Sequence, residues 1–195
     1  MHCLPGWIFQ GLCFEQAFSG TGSEANPGSR ERKPFSFPFN KIIGVTQWYG
    51  NTAYQKPHTG IDFGAKLEEV LAIGNGQVVE KGWDSYYGEC LSGGNYLKVK
   101  QDNGIHVVYF HLEDISVNTG DLVKKGEVIA VSGNSGAWNC QPLAYHLHFE
   151  TRLNASFSSH ANPVRYVDVD WHRVPTLGYR NNPGRLTGEN PHPGW

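Results

Sequence analysis

The segment His146-Leu147-His148-Phe149-Glu150 alternates polar and apolar residues, which is the pattern of a β-strand with one buried face. Because successive side chains on a strand point to opposite faces, His146 and His148 share one face while Leu147 and Phe149 share the other. Two imidazoles about 7 Å apart allow one ring to bind a metal while the other stands beside it. Two histidines also share a strand face by chance, so the rest of the chain must decide whether a metal site is present.

His58 and Asp62 offer a second pair of metal-binding groups, one nitrogen and one carboxylate, four residues apart. Gly60 lies between them and argues against a helix, so we predict a turn and then a short strand that places Asp62 opposite the apolar Ile61. A catalytic zinc keeps three protein ligands of these types, here completed by His148, and leaves a fourth position for water. Water bound there has a pKa of about 7 and attacks a carbonyl at neutral pH.

Peptide hydrolysis also requires a group that takes the proton of the water and a group that stabilises the tetrahedral intermediate. His146, beside the ligand His148, and His111 are the histidines that suit these two roles. We predict that His111 ends the return strand of a hairpin and shares a strand face with Tyr109, from which it reaches a site between strands.

The elements that carry these residues are expected to be short strands joined by glycine turns. The chain has 24 glycines and 13% aromatic residues, a composition that favours strands over helices. The clearest hairpin joins residues 96–100 to residues 105–112 through Asp102-Asn103-Gly104. Apolar residues and glycines alternate every three residues in 117–129, which is typical of compact β-sandwich modules. We therefore predict an all-β fold, mainly an antiparallel β-sandwich.

The chain is expected to contain one folded domain, residues 34–171, between two flanking segments. Residues 1–33 are predicted to be a leader and linker, because their second half is rich in Gly, Ser, Asn and Pro and ends in a run of charges. Their short apolar run fits a secretory signal poorly, so export, anchoring and inhibition all stay open as roles. Residues 172–195, with four prolines, are predicted to be a C-terminal tail.

Charge, hydropathy and cysteine usage exclude several classes of protein. The net charge of −2 gives no electrostatic basis for binding nucleic acid, and the chain has no apolar run long enough for a transmembrane helix. The four cysteines form no Cys-x-x-Cys pair, which argues against zinc-ribbon and thioredoxin-type motifs. Cys90 and Cys140 lie in two glycine-rich loops, where either a disulfide or two inert thiols would fit.

The histidine and aspartate motifs resemble, in order and spacing, those of the lysostaphin-type (LytM-like) zinc metalloendopeptidases. The resemblance runs from about residue 39 to about residue 166, and its segments are His58-x-x-x-Asp62, Tyr109-Phe110-His111-Leu112, Val117-x-x-Gly120-x-x-Val123-x-x-Gly126-x-x-Ile129, Gly133-Asn134-Ser135-Gly136 and His146-x-His148. It implies a β-sandwich of the duplicated-hybrid-motif or barrel-sandwich type with a groove over the sheet.

By the family pattern, one Zn²⁺ per chain binds to His58, Asp62 and His148, while His111 and His146 act on the water and the oxyanion. The resemblance implies a zinc metalloendopeptidase that hydrolyses peptide bonds in peptidoglycan cross-links or stem peptides. We expect the protein to be a monomer. A cell-wall substrate in turn implies an extracytoplasmic location, whether secreted, periplasmic or associated with the wall.

Two loops, residues 83–94 and residues 137–144, depart from the family pattern and are expected to wall the groove. Their aromatic residues are Trp83, Tyr86, Tyr87 and Trp138. Tyr54 is a candidate contact to the oxyanion or the substrate. Glu150, on the same strand face as His148, is a candidate hydrogen-bond acceptor for that ligand ring. The alternative for each is an ordinary packed or solvated residue.

Two other functions fit parts of the sequence. A non-catalytic protein of the same fold would bind peptidoglycan and activate a cell-wall amidase, but such proteins typically lack some ligands, and this chain retains all five motif residues. A biotinyl or lipoyl carrier domain would match the repeated glycines, with Lys124 or Lys125 at the modified turn. That second alternative leaves the histidines unexplained.

Overall fold

The computed structural model describes residues 32–52, 54–85 and 88–177, and its fold is almost entirely β. Strands account for 44% and helices for 4%, which confirms the predicted fold class. In chain order the strands are β1 (Val45–Gln47), β2 (Ile61–Phe63), β3 (Glu69–Leu71), β4 (Gly76–Asp84), β5 (Leu91–Ser92), β6 (Gly94–Gln101), β7 (His106–Phe110), β8 (Leu112–Ile115), β9 (Leu122–Val123), β10 (Val128–Ser132), β11 (Ala137–Trp138), β12 (Gln141–Pro142), β13 (Leu147–Arg152) and β14 (His160–Ala161). Short 3₁₀ turns lie at Phe157–Ser159 and Pro163–Arg165.

The largest sheet has the strand order β1-β2-β13-β7-β6-β4-β9, with β14 also paired to β13. Its neighbouring strands are antiparallel. Strand β13 lies between β2 and β7, where His148 stands opposite Asp62 on one side and Phe110 on the other. The register therefore brings two of the predicted ligands side by side in the interior of the sheet.

Strand β13 buries its apolar face in the core, as its alternation predicts. Leu147 and Phe149 are completely buried. The ring of Phe149 packs against Phe63 and Tyr109, with centroid distances of 6.1 and 5.5 Å. Burial of a side chain of this size contributes about 1.5–3 kcal/mol, so the core fixes which face of β13 carries His148.

The predicted hairpin is present as β6 and β7, and its turn contains Gly104 at a φ of 86°. Left-handed backbone of this kind costs glycine little and other residues more.

A second sheet with the order β3-β10-β8 packs on the core side, where the hydroxyl of Tyr109 lies 3.5 Å from the carbonyl oxygen of Leu71. The two sheets form the expected antiparallel sandwich.

The two segments predicted as loops, residues 83–94 and 137–144, contain short strands instead. Strands β5, β11 and β12 have two residues each and form a separate sheet in the order β12-β11-β5. Cys90 and Cys140 are joined by a disulfide, so the structure decides between the two alternatives left open for these thiols. The prediction of continuous loops was wrong because strands of two residues are too short to show alternation.

The packed domain continues beyond residue 171. The backbone N–H of Val45 donates to the carbonyl of Pro175 at 2.8 Å, and the N–H of Leu177 donates to the carbonyl of Val45 at 2.7 Å. Residues 175–177, which lie in the segment predicted as a tail, thus pair with β1. The predicted leader up to residue 31 and the tail from residue 178 lie outside the described residues. In the described ranges no helix has the length and apolar character needed to cross a membrane.

Candidate metal centre and catalytic histidines

His58, Asp62 and His148 bring one potential ligand atom each to a single point. Nε2 of His58 lies 3.1 Å from Oδ1 of Asp62 and 3.0 Å from Nδ1 of His148. The distance between Oδ1 of Asp62 and Nδ1 of His148 is 2.8 Å. The ligands of a tetrahedral zinc, at bond lengths of about 2.0–2.2 Å, lie about 3.3–3.6 Å from one another. The observed triangle needs only a small expansion to hold zinc. Its two imidazoles and one carboxylate are a donor set that catalytic zinc sites use.

The local backbone explains why these three side chains meet. The loop that precedes β2 holds His58, because Gly50 and His58 exchange two backbone hydrogen bonds of 2.8 Å. Asp62 on β2 faces His148 on β13 through the strand register. Gly60 allows the intervening turn to lie against β13, since a Cβ at this residue would be 2.5 Å from a backbone oxygen of that strand.

Hydrogen bonds donated by the second ring nitrogen orient the rings of His58 and His148. Nδ1 of His58 lies 2.8 Å from the carbonyl oxygen of Trp48, so Nδ1–H donates and Nε2 keeps its lone pair. Nε2 of His148 lies 3.0 Å from Oε1 of Glu150, so in this ring Nε2–H donates and Nδ1 is left for a metal. Partners of this type orient the ring and raise its basicity as a ligand.

Glu150, predicted as an acceptor for a ligand ring, is buried with only 1% of its surface exposed. Its Oε1 also accepts a hydrogen bond from the hydroxyl of Thr59, and its Oε2 accepts one from Nε of Arg152, both at 2.6 Å. Burial alone would raise the pKa of Glu150, but the hydrogen bond from His148 and the charge of Arg152 lower it to about 2. The carboxylate is therefore ionised at neutral pH and accepts a hydrogen bond from Nε2–H of His148.

The charges around the three ligand side chains favour a cation. Burial alone would lower the pKa of His148, but the carboxylates of Asp62 and Glu150 outweigh it and raise this pKa to about 9. Burial also opposes ionisation of Asp62, yet the neighbouring histidines, His58 first, hold its pKa well below the usual range. A metal ion that replaces the proton of His148 would enter surroundings that already stabilise positive charge.

His111 and His146 stand beside the three ligand side chains. Their ring centroids are 4.5 Å apart, and the ring of His111 is 6.1 Å from that of His148. Nδ1 of His111 donates to the carbonyl of Ser135 at 2.9 Å, and Nδ1 of His146 donates to that of Ala144 at 2.7 Å. Burial, together with the two neighbouring histidines, lowers the pKa of His111 to about 3, so its ring is neutral at physiological pH. The hydrogen bond at Nδ1 leaves Nε2 of each ring as the atom that carries the lone pair.

The route by which His111 reaches the site differs from the prediction. Tyr109 is fully buried against Phe149, whereas His111 lies beside His146. Residue 111 separates β7 from β8 at a φ of 62°, so the chain turns there and the alternation of faces is broken. The assignment of His111 to the face of Tyr109 was wrong because a single left-handed residue leaves no mark on the polar–apolar pattern. Histidine adopts this conformation more readily than most residues with a side chain.

His146 also lies just outside the strand predicted for it. Strand β13 begins at Leu147, and His146 pairs with Gly133 through an isolated bridge in which its N–H donates at 3.0 Å. The bridge keeps the backbone of His146 in line with β13. The two histidines of the His146-x-His148 motif therefore still meet at one site.

Three of the remaining predicted contact residues are exposed at the surface. Tyr54 is 62% exposed, Trp83 57% and Trp138 40%. Tyr86 and Tyr87 lie outside the described residues. A role for any of these aromatic residues in substrate binding stays a prediction.

Sequence reasoning missed two residues close to the site. The ring of Phe110 lies 5.7 Å from His148 and 5.6 Å from Tyr96, which extends the site along the sheet. Finding Phe110 requires the register of β7 against β13, which the sequence does not contain. Arg152 lies two residues after Glu150 on the same face of β13, and that spacing could have indicated their ion pair.

The fold and the site define a class of protein, an antiparallel β-sandwich whose sheet carries a His–Asp–His group that could hold a metal ion beside two further histidines. A family model described as Peptidase family M23 matches residues 56–163, more than half of the chain, and this range contains all five of these residues. The chain therefore belongs to peptidase family M23.

Several curated proteins are similar to this chain over its folded part. Lysostaphin of Staphylococcus simulans is 33% identical over 141 residues, which are 71% of this chain and 25% of lysostaphin. Glycyl-glycine endopeptidase ALE-1 of Staphylococcus capitis is 33% identical over 136 residues, 68% of this chain and 35% of that protein. Peptidoglycan DD-endopeptidase ShyB of Vibrio cholerae is 35% identical over 95 residues, 48% of this chain and 20% of that protein. The chain thus spans only about a third or less of the length of these relatives.

A solved structure shows the same fold. The catalytic domain of the antimicrobial peptidase lysostaphin from Staphylococcus simulans superposes with a TM-score of 0.54 at 32% identity. The match covers 62% of this chain and 89% of that domain. The match therefore covers almost the whole of that catalytic domain, whereas the sequence match to full-length lysostaphin covers 25% of that protein.

Proposed function

We propose that this protein is a zinc-dependent metalloendopeptidase that hydrolyses peptide bonds in the cross-links or stem peptides of peptidoglycan. The observation that carries the proposal is the geometry of five side chains. Three present ligand atoms within 3.1 Å of one another, and two more histidines beside them have Nδ1–H tied to backbone carbonyls. In a histidine cluster with a purely structural role, there is no reason for one nitrogen of each ring to be hydrogen-bonded while the other is left for a metal or a substrate.

His58, Asp62 and His148 would hold one zinc ion per chain. Zinc in such a site supplies Lewis acidity, since it polarises a carbonyl and lowers the pKa of coordinated water to about 7. The hydrogen bonds from His58 to Trp48 and from His148 to Glu150 aim Nε2 of His58 and Nδ1 of His148 at the metal position. The protein therefore needs little rearrangement to bind the ion.

His111 and His146 would carry out the proton transfers of hydrolysis. Each ring is held with its Nδ1–H on a backbone carbonyl, so Nε2 is the atom that takes the proton of the attacking water. Once protonated, Nε2–H can donate to the oxyanion of the tetrahedral intermediate or to the leaving amine. We propose that the two rings share these tasks.

Phe110 and Tyr96 would form the floor on which the substrate lies. They follow His148 across the sheet on the same face, and both are partly exposed. An aromatic floor beside the ligands suits an extended peptide with small side chains, because flat rings offer contact area without blocking the chain.

The names of the relatives indicate two candidate substrates, a glycyl-glycine bond and a D,D cross-link. Either substrate lies in the cell wall, so we propose that the protein acts outside the cytoplasm.

The test is a map of the bonds that the protein cleaves. Purified zinc-loaded protein is incubated with peptidoglycan sacculi, with a pentaglycine peptide and with D,D-cross-linked muropeptides, and new amino termini are identified by mass spectrometry. We expect cleavage of at least one of the defined substrates and none by Asp62→Asn at equal concentration. Zinc-loaded protein that binds sacculi without producing new amino termini would contradict the proposal and favour the amidase-activator alternative.

A further inference from the structure

The backbone of two loops determines where the imidazole of His111 lies. The N–H of His111 donates to the carbonyl of Gly93 at 3.1 Å, and its Nδ1–H donates to the carbonyl of Ser135 at 2.9 Å. Gly93 lies between β5 and β6, and Ser135 lies between β10 and β11. A shift of either segment would therefore move His111 or rotate its ring.

The same two segments are fastened to each other. Strand β5 pairs with β11, and the N–H of Asn95 donates to the hydroxyl oxygen of Ser135 at 2.9 Å. The Cys90–Cys140 disulfide adds a covalent link, beside which the N–H of Cys140 donates to the carbonyl of Cys90 at 3.0 Å. Gly93 and Ser135 thus belong to one unit closed by the disulfide.

Close backbone packing makes this unit sensitive to displacement. Gly136 has a φ of 93°, and a Cβ at this residue would fall on the carbonyl oxygen of Ser92 in the other segment. Gly94 has a φ of 65°, and a Cβ there would fall on the backbone of Ser135. The two segments therefore touch backbone to backbone, with no side chain between them to absorb a shift.

We propose that the Cys90–Cys140 disulfide is a positioning element for His111, which it holds in its productive orientation by locking the loops of Gly93 and Ser135 together. The inference rests on the proposed role of His111 in proton transfer. Strands β2 and β13 and the loop at Gly50 position His58, Asp62 and His148. The disulfide therefore does not position the metal ligands directly. Loss of the disulfide should therefore reduce turnover and leave metal binding unchanged.

The first test removes both thiols with Cys90→Ser/Cys140→Ser in the full chain. We expect one zinc per chain to be retained, kcat for peptidoglycan hydrolysis to fall about tenfold to a hundredfold, and KM to stay within about twofold. The long-range ¹H–¹⁵N spectrum of the histidine rings gives a readout that is independent of turnover. The Nδ1–H signal of His111 should shift or broaden, while the ring signals of His58 and His148 stay in place.

A second pair of variants keeps the disulfide and changes only the contact between the segments. Gly136→Ala introduces the clash with Ser92, whereas Gly104→Ala in the turn between β6 and β7 is the matched control. Gly104 has a similar φ of 86°, and a Cβ added there would meet no atom of the described residues within 4 Å, so both variants carry the same backbone cost. We expect Gly136→Ala to reproduce the loss of kcat and the change in the His111 signal, and Gly104→Ala to behave as wild type. This pair decides the matter if the double serine variant does not fold.

Unchanged kcat and unchanged His111 signals in the variants that fold would overturn the inference. So would a loss of zinc that parallels the loss of turnover, because the disulfide would then support the whole site. If the wild type cleaves no peptidoglycan, the proposed function fails, yet the ring spectra still report whether the disulfide holds His111 in place.

Discussion

His148 and Glu150 lie two residues apart on β13, and Nε2–H of the histidine donates to Oε1 of the buried glutamate at 3.0 Å. This one hydrogen bond decides that Nδ1, and not Nε2, faces Asp62 and His58. Arg152 in turn neutralises the carboxylate, with Nε 2.6 Å from Oε2. The orientation of a ligand ring is therefore set by two residues that do not touch the metal position themselves.

The first prediction concerns Glu150→Gln. The amide keeps the shape of the side chain but removes the charge that Arg152 and His148 share, so the ring is held less firmly and is a weaker base. We expect the affinity for zinc to fall about tenfold to a hundredfold, measured by competition with a chromophoric chelator. Glu80→Gln is the matched control, because Glu80 is exposed and pairs with Lys98 and Tyr96. An equal loss of affinity in both variants would contradict the role of Glu150.

The second prediction concerns the pH dependence of zinc binding. The carboxylates raise the pKa of His148 to about 9 in the metal-free protein, and the ring must lose a proton from Nδ1 before it can bind zinc. Below pH 9 the metal competes with that proton, so the apparent affinity should rise about tenfold per pH unit towards pH 9. Calorimetry at pH 7.5 in buffers of different ionisation enthalpy should show about one proton released per zinc. An affinity that is flat between about pH 7 and 8.5 would contradict this assignment.

The third prediction concerns the turn between His58 and Asp62. In Gly60→Ala the new Cβ would lie 2.5 Å from the carbonyl oxygen of Phe149 and 3.0 Å from Cε1 of His148, so the turn must move away from β13. We expect a destabilisation of about 1–3 kcal/mol in urea unfolding, together with weaker zinc binding.

The control for that substitution lies on the same sheet. In Gly82→Ala the nearest atom to the new Cβ is 3.6 Å away, on the ring of Tyr96, which is an ordinary contact. Gly82→Ala should bind zinc as the wild type does. If Gly60→Ala also binds zinc normally, close approach of the turn to β13 is not what places the ligands.

Much of the site could be predicted from the sequence because its spacing is local. His58 and Asp62 are separated by one turn, and the alternation from Leu147 to Glu150 identifies both the strand and its buried face. The fold class followed from the same alternation and from the distribution of glycines.

Features that depend on contacts between distant segments could not be predicted. The position of His111 depends on one left-handed residue, and that of Phe110 depends on the register of β7 against β13. The sheet of β5, β11 and β12 is held by the Cys90–Cys140 disulfide and a few backbone hydrogen bonds. None of these leaves a periodic pattern in the chain.

The two histidines that do not bind the metal give the most direct test of the proposed mechanism. His111→Ala and His146→Ala should each be measured against the wild type for zinc content and for the release of amino groups from purified peptidoglycan. We predict one zinc per chain in all three proteins, and rates lowered about 10²- to 10⁴-fold in both variants, since each loses a group that transfers or donates a proton. Wild-type rates in either variant, or an active wild type that contains no zinc, would contradict the division of the site into metal ligands and proton-transfer groups.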